Sequence, residues 1–136
     1  MARRARSFRF REELLSCLAR HAPEVGLSPS ALAERYVEEG LRHDSHPLIL
    51  FRDGIGGRRA TLLGSRIDVS QVIDTVKHSE SPGEAAEYLD IPVAHVEACM
   101  RYYVEFQDEV DAWTERTQAF AAEQEETWRR TQAVFA

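Results

Sequence analysis

His43-Asp44-Ser45-His46 places two imidazoles and a carboxylate within four residues, a grouping that could hold a metal ion or carry acid–base chemistry. Metal ligation wants three or more ligands in fixed geometry. The remaining histidines, His21, His78 and His95, lie elsewhere in the chain, and Cys17 and Cys99 form no CxxC pair. The cluster also falls at a predicted helix C-terminus just before Pro47, where imidazole is favoured by the helix dipole. The helix-end reading predicts no metal and no cofactor; a metal-dependent enzyme built on His43, Asp44 and His46 is the competing one. The acids of the C-terminal half follow the spacing of solvated helix faces and single out no catalytic pair. GxxxxGK[ST], GxGxxG after a strand and GxSxG are all missing. Asp53-Gly54-Ile55-Gly56-Gly57 has the composition of a phosphate loop, but no helix start follows it. No catalytic residue is assigned, and the expectation is a non-enzyme.

A stronger chemical signal is charge. The chain of 136 residues has a formal net charge of −6, which as an average argues against nucleic acid. The average conceals a gradient: residues 1–20 balance at +4, residues 21–60 at −1 and residues 61–136 at −9. A basic head on an acidic body suits two kinds of partner, while an irregular Arg-rich tail is the plain alternative. The hydrophobic fraction is 43% and no apolar run is long enough to span a bilayer. The head begins with Arg3, Arg4 and Arg6, but polar Ser7-Phe-Arg-Phe-Arg-Glu-Glu13 stands where a signal peptide needs an apolar stretch. A reduced, cytoplasmic protein without a membrane partner is the expectation.

The elements that must position these charges follow from periodicity. Ser7 to Arg11 alternates polar and apolar, as a half-buried strand does, with Phe8 and Phe10 facing a core. Glu12 to about Ala22 reads as a helix through Leu14, Leu15, Leu18 and Ala22, ended by Pro23 and Gly26. Ser28-Pro29 is a helix start, and Leu32, Tyr36, Val37 and Leu41 mark an apolar stripe to about Arg42. Strand, helix, turn, helix is too small a unit for a core of its own. Two copies pairing their strands antiparallel make a ribbon thin enough for a DNA major groove. Ser7 and Arg9 then face outward, Arg3, Arg4 and Arg6 lie near phosphates, and the amides around Ser28 and Ser30 form an anion site.

Leu48–Phe51 and Ala60–Leu63 bracket the glycine-rich loop as a β-hairpin, and four of the seven glycines, between residues 54 and 64, suggest a hinge there. Asp68 caps a helix to about His78, Ser81-Pro-Gly-Glu84 opens another to Leu89, and Pro92 opens a third. Two of these in succession have helix-turn-helix proportions. From Val93 to Ala136 there are 44 residues without Gly or Pro. In that stretch Trp113, Phe120, Trp128 and Phe135 stay within about 40° of a common line on a helical wheel. Such a stripe anchors a partner, folds back on residues 66–110, or pairs two copies in a coiled coil. Whether the stretch is one helix or bends near Asp108–Asp111 is open. The fold class is mainly α with short β. Its divisions are 1–45, 46–111 with hairpin and helix-turn-helix bundle, and a long terminal helix over 112–136.

Phe8-Arg-Phe10-Arg-Glu-Glu-Leu14-Leu15 followed by Gly26-Leu-Ser-Pro-Ser-Ala-Leu32 resembles the ribbon-helix-helix fold of the Arc, MetJ and CopG class. Arg11 stands where that class usually has a Ser or Thr helix cap, and Arg6 falls at an inward ribbon position. Over residues 58–111, Gly57-Arg-Arg-Ala, Gly64-Ser-Arg-Ile-Asp-Val69, Ser81-Pro-Gly-Glu-Ala-Ala-Glu and Val96-Glu-Ala-Cys-Met-Arg-Tyr-Tyr103 resemble a small helix-turn-helix domain found in VapB-type antitoxins. In residues 82–111 Arg101 is the sole Lys or Arg among many acids, which argues against DNA readout there and for a structural or partner-binding role.

Together the resemblances imply a type II antitoxin: a dimer, or higher oligomer, that binds operator DNA to repress its own operon and neutralises a PIN-domain ribonuclease toxin. Trp113, Phe120, Trp128 and Phe135 then fill grooves on the toxin, the neighbouring acids complement its basic surface, and Arg116, Arg129 or Arg130 reaches its acidic metal site. A stand-alone repressor whose C-terminal domain only oligomerises is the alternative.

Overall fold

The computed structural model describes residues 2–136, Met1 being left outside the description. In chain order the elements are α1 (Glu12–Glu24), α2 (Pro29–Ser45), β1 (Ile49–Gly54), β2 (Gly57–Leu62), α3 (Val69–Lys77), α4 (Pro82–Leu89), α5 (Val93–Glu105) and α6 (Gln107–Phe135). The fold is mainly helical with one two-stranded antiparallel sheet. The chain divides into two compact units, Met1–Leu41 and Arg42–Ala136, the division falling inside α2. The boundary therefore precedes the glycine-rich loop rather than coinciding with it, because that loop is the turn of a hairpin packed into the second unit.

In the first unit, residues 2–11 form no strand. The expected strand at Ser7–Arg11 needs a second strand to pair with, and a single copy offers none. Phe8 and Phe10 stack on each other with ring centroids 6.4 Å apart, but face no core, Phe8 being 72% exposed. Arg11, at the N-cap of α1, makes no side-chain cap bond, and Glu12 and Glu13 meet the positive helix end instead. The helix runs through Pro23 and ends in a Schellman arrangement. Leu27 N–H reaches Ala22 O at 3.0 Å, Gly26 N–H reaches Pro23 O at 3.2 Å, and Gly26 has φ +72°. Ser28 caps α2 as expected, its Oγ accepting from Ala31 N–H at 3.1 Å.

The second unit holds the core. Ile49 and Leu62 from the hairpin, Val69, Val72 and Ile73 from α3, Ala85 and Ala86 from α4, Val96, Cys99 and Tyr102 from α5 and Val110 from α6 form one buried cluster. The hairpin pairs Ile49 with Leu62 through to Gly54 with Gly57, leaving a two-residue turn, Ile55-Gly56. Gly56 (φ +103°) and Gly57 (φ +122°) adopt backbone that a side chain would strain. At α3, Gln71 Oε1 accepts from Asp68 N–H at 2.8 Å. At α4, Ser81 Oγ accepts from Glu84 N–H at 3.1 Å, while Glu84 reaches back to Glu80 N–H at 3.3 Å, one residue before the expected box partner.

The 44-residue stretch without Gly or Pro bends at Phe106 (φ −123°, ψ 38°), just ahead of Asp108–Asp111. Two tyrosine-centred networks span the bend. Tyr102 Oη donates to Glu109 at 2.9 Å and accepts from Arg42 at 3.0 Å. Tyr103 Oη donates to Asp111 at 2.8 Å, and Lys77 Nζ lies 3.0 Å from it. Adjacent tyrosines of α5 thus each hold a carboxylate of the first turns of α6.

Candidate functional site

Two surfaces carry the residues singled out by sequence. The first is the basic arm and the helices that follow it. Arg4, Arg6, Ser7 and Arg9 are exposed, as is Arg3, which forms a 3.2 Å ion pair with Glu34. Ser28 and Ser30 are exposed at the start of α2, although Ser28 itself occupies the Ala31 amide that the anion-site reading would use. Within this unit only Ala22 and Leu32 are buried among the described residues; Leu14, Leu15, Tyr36, Val37 and Leu41 remain exposed. The expected apolar stripes of α1 and α2 are present, with Ala22 and Leu32 buried, Leu18 half-buried and the others uncovered.

The second surface is α6, and here one of the expected anchors is placed differently. Trp113 is half-buried against the hairpin turn: a Cβ on Gly56 would touch its ring at 3.5 Å. Arg116 lies over that ring at 5.2 Å and donates to Gly56 O at 3.0 Å. The indole is therefore partly covered within the fold, and Arg116 is held at the turn. Glycines without side chains offer the ring a flat landing, so the first anchor of the stripe is used inside the fold. Every residue from Glu115 to Ala136 is exposed, including Phe120, Trp128 and Phe135. Arg129 pairs with Glu125 at 2.8 Å and Arg130 with Glu126 at 3.2 Å, so two of the three arginines expected to reach the toxin brace their own helix.

The His43–His46 cluster closes the α2 end. His43 Nδ1 lies 3.0 Å from Ile49 O, and the ring of His46 packs edge-on to Tyr102 and Phe106. His46 Nε2 is 3.4 Å from Glu105 but has no hydrogen bond of proper geometry. Among the described residues no group of three or more His, Cys, Asp and Glu is arranged to hold a metal ion.

Sequence reasoning missed the network around Arg42. Its guanidinium donates to both Glu109 oxygens at 2.9 Å and lies 4.0 Å above the Phe106 ring. Burial alone would lower its pKa, but the hydrogen bond to Glu109 and the nearby acidic groups outweigh that and hold it above the ordinary value. Burial, reinforced by the Glu109 charge, pushes the Tyr102 phenol upward. Burial likewise pushes the Cys99 thiol up to about 12. Also missed was the gathering of arginines at the hairpin: Arg58 pairs with Asp53 at 3.0 Å and Arg59 with Asp68 at 2.8 Å. The visible signal was Gly57-Arg-Arg beside Arg52, obscured by the net acidity of the surrounding sequence.

Among the described residues, no helix is long and apolar enough to cross a membrane. No curated protein and no solved structure matches the chain. Residues 49–103, the hairpin through nearly all of α5, are similar to the family described as Protein of unknown function (DUF433), a match that leaves out the first unit and α6.

Proposed function

We propose that this chain is a type II antitoxin of the VapB kind, a dimer that binds operator DNA through its first unit and neutralises a PIN-domain ribonuclease toxin through α6. The observation that carries the reading is the uncovered first unit: among its described residues two apolar side chains are buried, while a basic arm accompanies a row of exposed ones. A surface of that kind is completed by a second copy, and pairing the arms would supply the strand partner that Ser7–Arg11 lacks. The exposed aromatics of α6 support the second half of the reading, since a helix with one sparse apolar stripe has no core of its own. Their occupant is the toxin rather than a fold-back, because the fold-back contact is already made by Trp113 and ends at Arg116.

The test is truncation after Thr117, beyond the contacts of Trp113 and Arg116 with the hairpin. The truncated protein should bind the duplex upstream of its coding sequence as the full chain does and fail to protect RNA from the product of the adjacent reading frame. Protection by the truncated protein would remove α6 from the toxin interface. Absence of any complex with that product would favour the stand-alone repressor.

A further inference from the structure

We infer that the β1–β2 hairpin is a second DNA contact, a wing whose Arg52 and neighbouring Arg116 meet duplex phosphates while Ile55 at its turn meets the sugar edge of the minor groove. Residues 49–66 carry four arginines against the single acid Asp53, inside a region whose overall balance is strongly negative. Asp53 and the nearby Asp68 are already neutralised by Arg58 and Arg59. Arg116 is brought to the turn by its bond to Gly56 O. Among the described residues Arg52 and Arg116 make no ion pair. Arg52 sits directly opposite Arg59 in the strand register, and like charges so placed cost stability unless an anion lies between or beside them. Asp68 serves Arg59; Arg52 has no counterpart.

The shape of the turn selects nucleic acid over an acidic protein. Gly54, Gly56 and Gly57 put no side chain on the turn, Ile55 at its tip is 93% exposed, and the half-buried Trp113 ring packs beside Gly56. A protein interface packs a wider apolar centre. A two-stranded tip with one exposed aliphatic side chain, on a hairpin that carries arginines, suits a groove, where such residues meet sugars or base steps. Contact of this kind reads no sequence, in keeping with the acidity of α4 and α5.

The inference rests on the DNA-binding reading above for its duplex and uses none of its residues. Full-length protein is titrated by fluorescence anisotropy over a salt series, with the duplex upstream of the coding sequence and a shuffled duplex of the same composition. Arg52→Ala/Arg116→Gln should weaken binding to both and flatten the log–log salt dependence by about 1.8, for two phosphates released. Ile55→Ser should weaken both with the slope retained. Wild-type slope and affinity in the double variant overturn the inference, as does a changed oligomeric state in sedimentation with DNA binding intact. If only Arg9→Ala loses affinity, the wing is refuted and the operator reading stands. If only the hairpin variants lose it, the wing stands and the arm is refuted. No DNA binding by wild type overturns both. Should the double variant melt early, Arg52→Glu, at an exposed site, replaces it: a larger loss on both duplexes supports the wing, and unchanged affinity overturns it.

Discussion

The two units of this chain spend their apolar residues in opposite ways. The second covers a continuous set from Ile49 to Val110, with helices against both strands of its hairpin and the start of α6 pinned by two tyrosine networks. The first has leucines and a tyrosine at helical spacing and two phenylalanines in its arm, yet buries only Ala22 and Leu32 among the described residues. Burial of an aliphatic side chain is worth about 1.5–3 kcal/mol, so a row left open is a large driving force waiting for a partner surface. One unit is therefore organised by its own core, and the other leaves most of its apolar set uncovered. The same contrast recurs within α6, whose first turns belong to the core while the rest displays Phe120, Trp128 and Phe135.

The strongest way to break this contrast is to cut each unit's apolar set in turn. Leu62→Ala, fully buried, should lower the stability of the second unit by roughly 2–5 kcal/mol, measured by thermal or urea unfolding. Leu15→Lys, at an exposed site of α1, should leave that transition in place and convert the protein to a monomer in sedimentation. A monomeric wild type would end the idea that the first unit is completed by a second copy. Next in size is Arg9→Ala. It should cost roughly 1–3 kcal/mol of operator affinity with relaxed base preference if the side chain reads a base edge, whereas an equal loss on all sequences marks a phosphate contact.

The two cysteines report on the units separately. Cys17 is exposed and Cys99 is buried with its thiol pushed up to about 12, so a thiol reagent at neutral pH should modify Cys17 far faster and reach Cys99 only on unfolding. The folded state binds the Cys99 proton more tightly than the unfolded state. Its contribution is complete below about 9 and is lost as pH rises toward about 12. Alkaline melts should show that decline, and Cys99→Ala should blunt it; an unchanged profile would assign the decline to Tyr102. The smallest expected effect is that of ending the chain after Thr117, which removes exposed helix alone and should leave the melting of the second unit unchanged.

Much of the architecture was legible because its signals are local. Ser28, Asp68 and Ser81 mark helix starts through bonds that span three residues, and Gly56-Gly57 marks the turn through backbone conformation alone. The Ser7–Arg11 strand was legible as a pattern, but a strand exists only with its neighbour. The arginines of the arm were visible as charge. Those of the hairpin were masked, because a segment average mixes Arg58 and Arg59 with acids they do not face.

Sequence by itself determined where helices begin, where the hairpin turns and which residues are apolar, since each depends on atoms a few bonds away. Only the tertiary structure decided which apolar residues are covered. The chain bends at Phe106 without Gly or Pro because Tyr102 and Tyr103 capture Glu109 and Asp111 from the next helix. Trp113 leaves its stripe because the Gly56-Gly57 turn offers its ring a surface more than fifty residues away in the chain. Coverage is a property of two surfaces meeting, and no single stretch of sequence contains both.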